Sequence, residues 1–382
     1  MTQQQHLDQT LPEQPDPSRV LRTASLPQWL VWALAGAALL LALILTLAGL
    51  HVALAVVISY LVFLAAWTAI SITRLGRRKG INNLWTAIVV GAFLLALLPL
   101  ISVLFTVITK GVQGIMIPGF FGSDMVGVTG LQDQAAARGD APIIGGIQHA
   151  LVGTLMITLV ATIISVPIGL LTSIYLVEYS SKGVFSRAIT FLVDVMTGIP
   201  SIVAGLFAAA MMMGFYQATG QSIQKATMGL TAAIALSVLM IPVVVRTTEE
   251  MLRVVPNELR EASYALGVRK WRTIMQVVIP TAISGIASGV TLAIARVAGE
   301  TAPILVTAGV AVQTNWNPFQ NWMMTLPVFI YRQLTHPTAP SQPGPSELRA
   351  WGAALVLILI VMALNGIARF IAWKFAPKKS GR

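Results

Sequence analysis

Glu261-Ala262-Ser263-Tyr264-Ala265-Leu266-Gly267, then nine residues, then Val277-Val278-Ile279-Pro280, form a charged, helix-forming island between two long apolar segments. A glycine breaks the island and a proline closes it just before the next apolar run. A chain that only turned round at a membrane surface would need a few loop residues there. This one devotes residues 247–280 to a shaped polar surface, which is what a soluble partner could grip.

The surrounding composition places that island. Of 382 residues, 56% are hydrophobic and only 10% charged, against about 25% charged in an ordinary soluble domain. The chain therefore reads as an all-α integral membrane protein. Its net charge of +11 needs no nucleic acid to explain it, because Lys and Arg gather at the cytoplasmic ends of spans. With no cysteine, disulfides, thiolate metal sites and a cysteine nucleophile are excluded. The four histidines, His6, His51, His149 and His336, lack ligand spacing, so no metal or other cofactor is expected.

A helix that crosses the bilayer needs about 20 apolar residues. Eight such runs are expected, at 29–50, 52–73, 84–109, 148–177, 188–215, 226–246, 281–310 and 350–373. The first two form a tight hairpin, and the basic stretch Arg74–Lys79 separates them from the other six. The domain reading is a disordered cytoplasmic tail at 1–24 and an N-terminal hairpin with its basic loop at 25–80. A six-span core follows at 81–376, with a cytoplasmic loop at 247–280 and a basic tail at 377–382. The first apolar run is too long for a signal-peptide core, so no cleavage is expected.

With the N-terminus inside, Lys110, Arg138, Lys225, Arg332 and Arg349 fall outside and Arg296 falls within a span. The other Lys and Arg of the 25 lie with the N-terminus. That asymmetry follows the positive-inside rule, and it puts both termini and the island in the cytoplasm. The external loops, 110–147 and 311–349, are rich in Gly, Pro, Ser and Gln, with no repeated unit or soluble domain.

Within the island, Asn257 can cap a helix that starts at Glu258. Gly267 can take positive φ and end it. Val268, Trp271, Ile274 and Met275 have the spacing of a second short amphipathic helix, and Pro280 suits the first turn of the next span. Amphipathicity alone fits a helix resting on lipid headgroups. The full pattern of Glu-Ala-Ser, three residues, Gly, nine residues, Val-x-Ile-Pro resembles the EAA loop of bacterial ABC importer permeases, which docks into a groove on the ATPase subunit. The resemblance implies ATPase coupling by Glu261, Ala262, Tyr264, Leu266 and Gly267.

A second resemblance narrows the family. Ile199–Phe207, Ile241–Glu249 running into Leu259–Gly267, and Ala293–Pro303 are similar to the PstA-type permease subunits of bacterial phosphate-specific ABC transporters, over roughly residues 84–375. This implies a type I importer permease core of six spans, so the hairpin at 29–73 is an addition. It also implies a second homologous permease, a homodimeric ATPase and an extracytoplasmic phosphate-binding protein, in the bacterial inner membrane.

Asp194, Arg296 and Glu300 fall inside expected spans. A charge at the bilayer centre costs at least about 2.5–3.5 kcal/mol, so each needs a partner or a role. Arg296 and Glu300 are one helical turn apart and can pair. On physics alone, a self-neutralising pair that fixes the bundle and a guanidinium facing a translocation path are equal readings. The family resemblance favours the path, where Arg296 would hold phosphate oxygens and Glu300 would moderate its charge. Arg246 reads as a snorkelling side chain, with a late contact to the leaving anion as the second reading. Asp194 reads as a local cap or pair, and Met211–Met213 as packing or lipid-facing material.

No GxxxxGK[ST], HExxH or GxSxG pattern occurs, so ATP binding in the Walker manner and these hydrolytic chemistries are not expected of this chain. It reads as a non-enzymatic transport subunit. Competing readings are a permease for molybdate or sulfate, a phosphate-sensing component of a signalling complex, and an ion-coupled carrier without an ATPase.

Overall fold

The computed structural model describes residues 26–180 and 183–375, and these are helical with no strand. The tails expected at 1–24 and 377–382 lie outside the described residues. In chain order the helices are α1 (Gln28–Leu47), α2 (Val52–Leu75), α3 (Arg77–Ile115), α4 (Gly130–Arg138), α5 (Gln148–Ile174), α6 (Val184–Thr197) and α7 (Ser201–Ala218). They continue with α8 (Gly229–Val254), α9 (Asn257–Ala265), α10 (Lys270–Thr273), α11 (Ile279–Ala298), α12 (Ala302–Thr307), α13 (Leu326–Thr335) and α14 (Gly344–Phe375). Among the described residues, 8 helical runs are long and apolar enough to cross a membrane, which agrees with the number expected.

Several boundaries differ from the expectation, and α3 and α14 are longer than the runs expected at 84–109 and 350–373. The run expected at 188–215 is two helices, α6 and α7, broken at Gly198-Ile199-Pro200. Only α7 is long and apolar enough to cross. Pro200 cannot donate the backbone bond a continuous helix needs there, and Asp194 consequently sits on the short α6 rather than inside a span. The run expected at 226–246 continues to Val254, because Thr247–Val254 are good enough helix formers to carry α8 beyond its apolar part. The run expected at 281–310 stops at Ala298, with Gly299 as its cap.

The described residues divide into two compact units, the first ending at Val103 and the second beginning at Leu104. In the first, α1 and α2 form the expected hairpin. The Tyr60 hydroxyl donates to the Ala87 carbonyl of α3 at 3.0 Å, and Asn83 Nδ2 donates to Ser71 Oγ at 3.2 Å. Arg77–Lys79 belong to α3 rather than to a loop, and only Gly76 separates α2 from α3.

The second unit is built on α5, α8, α11 and α14. Apolar helices gain little from leaving lipid for one another, so close backbone approach and hydrogen bonds hold them. On α5, a Cβ at Gly169 would lie 2.6 Å from Val244 Cγ1, and Ser173 Oγ donates to the Val245 carbonyl at 3.0 Å. On α11, Gly285 and Gly289 face Met251 and Thr247 of α8 with no room for a Cβ. Leu236, Met240 and Val244 of α8 then fill the space between Ile157, Ala161, Ala293 and Val297. Met212 is buried beside Met228, whereas Met211 and Met213 are exposed.

The end of this unit formed by the N-termini of α5, α8 and α14 is closed by knitted loops. Asp124 accepts from the Thr314 backbone N–H at 3.1 Å, and Met125 N–H donates to the Val312 carbonyl at 3.0 Å. Thr129 and Gln132 form a capping box that starts α4 and presents Asp133. Arg349 of α14 grips both oxygens of Asp133 and donates to the Ile144 carbonyl at 2.8 Å, with side chains 0% and 1% exposed. Asp133→Ala strands a buried guanidinium, which costs about 3–5 kcal/mol. Thermal unfolding of the detergent-solubilised protein should show a large loss, with most of it recovered when Arg349→Met is added. An unchanged midpoint in the single variant contradicts this.

Candidate functional site

The EAA-like stretch folds as a short helix with a glycine stop. Pro256 occupies the N-cap position of α9, and Asn257 is its first helical residue rather than its cap. Proline fits there because its fixed φ is compatible with a helix entrance and its missing N–H is not required. The C-terminus is a Schellman arrangement, with Gly267 N–H donating to the Tyr264 carbonyl at 2.9 Å and Val268 N–H to the Ser263 carbonyl at 3.2 Å. Gly267 has φ +74°, the left-handed conformation expected of it, and no atom lies where its Cβ would be. Its glycine is demanded by the backbone rather than by a neighbour.

The sequence-expected coupling residues come together on the free surface of this turn. Glu261, Ala262 and Gly267 are exposed, Tyr264 is partly exposed, and Leu266 is 82% exposed. Trp271 and Met275 are exposed beside them. Ser263 alone turns inward, where its hydroxyl meets that of Thr273 at 2.8 Å and pins α9 to α10.

The second amphipathic helix is not a separate element. Residues Lys270–Ala298 form one helical run, with α10 passing through a π turn at Ile274–Val278 into α11. Pro280 lies just after that turn and lacks the N–H that would bond back to residue 276. A local π turn is a known way for a helix to absorb such a defect. The island is therefore mechanically continuous with the span that carries Arg296.

At the far end of that span, Arg296 and Glu300 do not form the pair expected of them. Gly299 ends α11, so Glu300 lies past the helix and not one turn further along the same face. Among the described residues no ion pair within 4.0 Å joins Arg296 to Glu300 or to any other carboxylate. Arg296 is exposed, on an open strip of α11 with Leu292, and Glu300 is half-buried in the break before α12. Pro303 of α12 is pressed against Gly205 of α7, where a Cβ would lie 2.7 Å from Pro303 Cα.

Arg246 is not a lone snorkelling side chain. Its guanidinium bonds Asp194 of α6 and donates to Glu249 at 3.0 Å, and Glu249 also receives Arg253 at 2.6 Å. In this conformation two carboxylates occupy Arg246, while Arg296 has none. Asp194 pairs across 52 residues of sequence rather than locally. Sequence reasoning also missed Arg260 and Glu178. The guanidinium of Arg260 donates to Glu178 Oε1 through Nη2 at 2.8 Å and Nε at 3.1 Å, and to the Val255 and Leu252 carbonyls at 2.6 and 2.9 Å. The only signal available was charge, with Glu178 at the end of an apolar run and Arg260 inside the polar island.

Comparison with known proteins gives a consistent picture. Residues 165–380 match the family described as binding-protein-dependent transport system inner membrane component. The phosphate transport system permease protein PstA 1 of Mycobacterium tuberculosis (strain ATCC 25618 / H37Rv) is 44% identical over 302 residues, covering 78% of this chain and 90% of its own. PstA of Mycobacterium leprae (strain TN) is 44% identical over 302 residues, covering 78% and 91%. PstA of Yersinia pestis is 35% identical over 302 residues, covering 79% and 92%. Among solved structures, a chain of the MetNI methionine ABC transporter in an inward-facing conformation aligns with a TM-score of 0.45 at 17% identity, covering 60% of this chain and 94% of that one. The chain belongs to the family of binding-protein-dependent transport system inner membrane components, among its PstA permeases.

Proposed function

We propose that this chain is the permease subunit of an ATP-driven importer of inorganic phosphate. It forms half of the translocation path with a second homologous permease. A homodimeric ATPase docks on α9 and α10, and an extracytoplasmic binding protein delivers phosphate at the opposite end. The complex sits in the bacterial inner membrane with both termini and the island on the cytoplasmic side. The named relatives, at 35–44% identity over more than three quarters of the chain, support the cargo and the assembly.

One observation carries the mechanism: an unpaired, exposed Arg296 lies on the same helical run as the docking surface. An unpaired guanidinium facing lipid would cost several kcal/mol, so the open strip of α11 is better suited to a wet path or a partner subunit. Arginine can meet two phosphate oxygens at once. Because its charge is not shared with Glu300, attraction for an anion is strong in this state. A shift at the α11–α12 break that brings Glu300 nearer would weaken it and release the anion. ATPase closure would supply that shift by pushing on α9, which Ser263 and Thr273 join to the run that carries Arg296. Conduction needs such alternation between holding and letting go.

Two outcomes test this. Arg296→Ala should lower uptake of radiolabelled phosphate by about tenfold to a hundredfold, the worth of a charge-assisted hydrogen bond, at unchanged protein level. Uptake at the wild-type rate contradicts the path. Leu266→Asp should weaken capture of the ATPase by about 30-fold, as expected for an exposed apolar anchor, while membrane insertion is unchanged. Undiminished capture contradicts the docking surface.

A further inference from the structure

Arg260 is the side chain that fastens the docking helix to two spans at once. It projects from α9, next to the exposed Glu261, but its own side chain is only 12% exposed. Glu178, its partner, is 4% exposed and lies in a π turn, Tyr175–Tyr179, that ends α5. One carboxylate oxygen of Glu178 receives both Nε and Nη2. The same guanidinium reaches the Leu252 and Val255 carbonyls at the end of α8. These are among the carbonyls a helix leaves without internal partners, and a cation there also complements the α8 dipole.

Two routes therefore leave α9. Through Ser263 and Thr273 it reaches α10, the second π turn and α11. Through Arg260 it reaches α5 and α8, which are themselves locked together by Gly169 against Val244 and by the Ser173 bond. Lysine could not replace the guanidinium, since four acceptor contacts in three directions need its planar fork. A buried charge pair is weak support for stability alone, because well-packed apolar residues serve as well. Its geometry suits a device that makes three elements move together.

Resting on the importer reading, we infer that Arg260 and Glu178 form a coupling clamp, a positioning pair that converts displacement of α9 into joint movement of α5 and α8. Removing the clamp leaves Glu261, Tyr264 and Leu266 free to meet the ATPase, but α9 then swivels without dragging those spans. ATP is hydrolysed and phosphate is not carried.

The test uses the whole complex in proteoliposomes, with external binding protein, internal ATP and radiolabelled inorganic phosphate. Wild type must first transport phosphate at the expense of ATP; if it does not, the importer reading fails and the clamp is void with it. Given a working wild type, Arg260→Ala and Glu178→Gln should each keep the ATPase bound and hydrolysing. Phosphate carried per ATP should fall by about tenfold, within the range by which a coupling element shifts an equilibrium. An unchanged ratio in both overturns the clamp. Because Arg260→Ala strands the Glu178 carboxylate and can fail to assemble, Glu178→Gln carries a second readout. The chain has no cysteine, so spin labels at Glu258→Cys on α9 and Leu171→Cys on α5 report their separation cleanly. The distance distribution should be narrow with Glu178 and broad with Gln; equal widths overturn the inference.

Discussion

A charge carried near a lipid bilayer must be paired or placed where water reaches it, and this constraint organises the second unit. Arg349 is paired with Asp133 under the loops, Arg260 with Glu178 at the opposite end, and Arg246 with Asp194 and Glu249. Except for Arg246–Glu249, which lies within α8, each pair joins elements distant in sequence. Arg296 differs: it is exposed and has no carboxylate partner among the described residues. With Glu300 it flanks a break where a membrane-length helix stops at Gly299 and a short helix restarts beside Pro303.

The paired charges and the close-packed small residues divide the work. Glycines at 169, 205, 285 and 289 allow backbones to approach where apolar side chains would gain nothing over lipid. Side-chain links then tie the packed elements together: Arg260 joins α9 to α5 and α8, and Ser263 with Thr273 joins α9 to α10, which continues into α11. α8 is in close contact with both α5 and α11. Packing of that kind is stiff, so a small displacement at a docking surface can be delivered at a distance.

Much of this was legible in the sequence, and the parts that were not share a cause. The end of α9 could be read because what defines it is local, a glycine suited to positive φ; its entrance was placed one residue late, because Asn257 has the chemistry of a cap while Pro256 holds the position. The number of membrane-length helices followed from hydropathy, but their ends did not. Window averages merge α6 with α7 across Gly198-Ile199-Pro200 and cannot see α8 continue past its apolar part. The expected Arg296–Glu300 pair failed because spacing of four brings side chains together only inside an unbroken helix, and Gly299 breaks it. Arg260 with Glu178 and Arg349 with Asp133 are 82 and 216 residues apart. No periodicity reports a pairing across such separations.

Carriage of phosphate by this chain is coupled to ATP hydrolysis in a partner subunit in the proposed importer. The most direct measurement is ATP-dependent accumulation of radiolabelled phosphate in proteoliposomes holding the assembled complex, challenged with excess unlabelled phosphate, sulfate or molybdate. Accumulation should require ATP and the binding protein, be abolished by phosphate, and be little changed by the other two. Accumulation without ATP, or competition by sulfate or molybdate as effective as by phosphate, would contradict it.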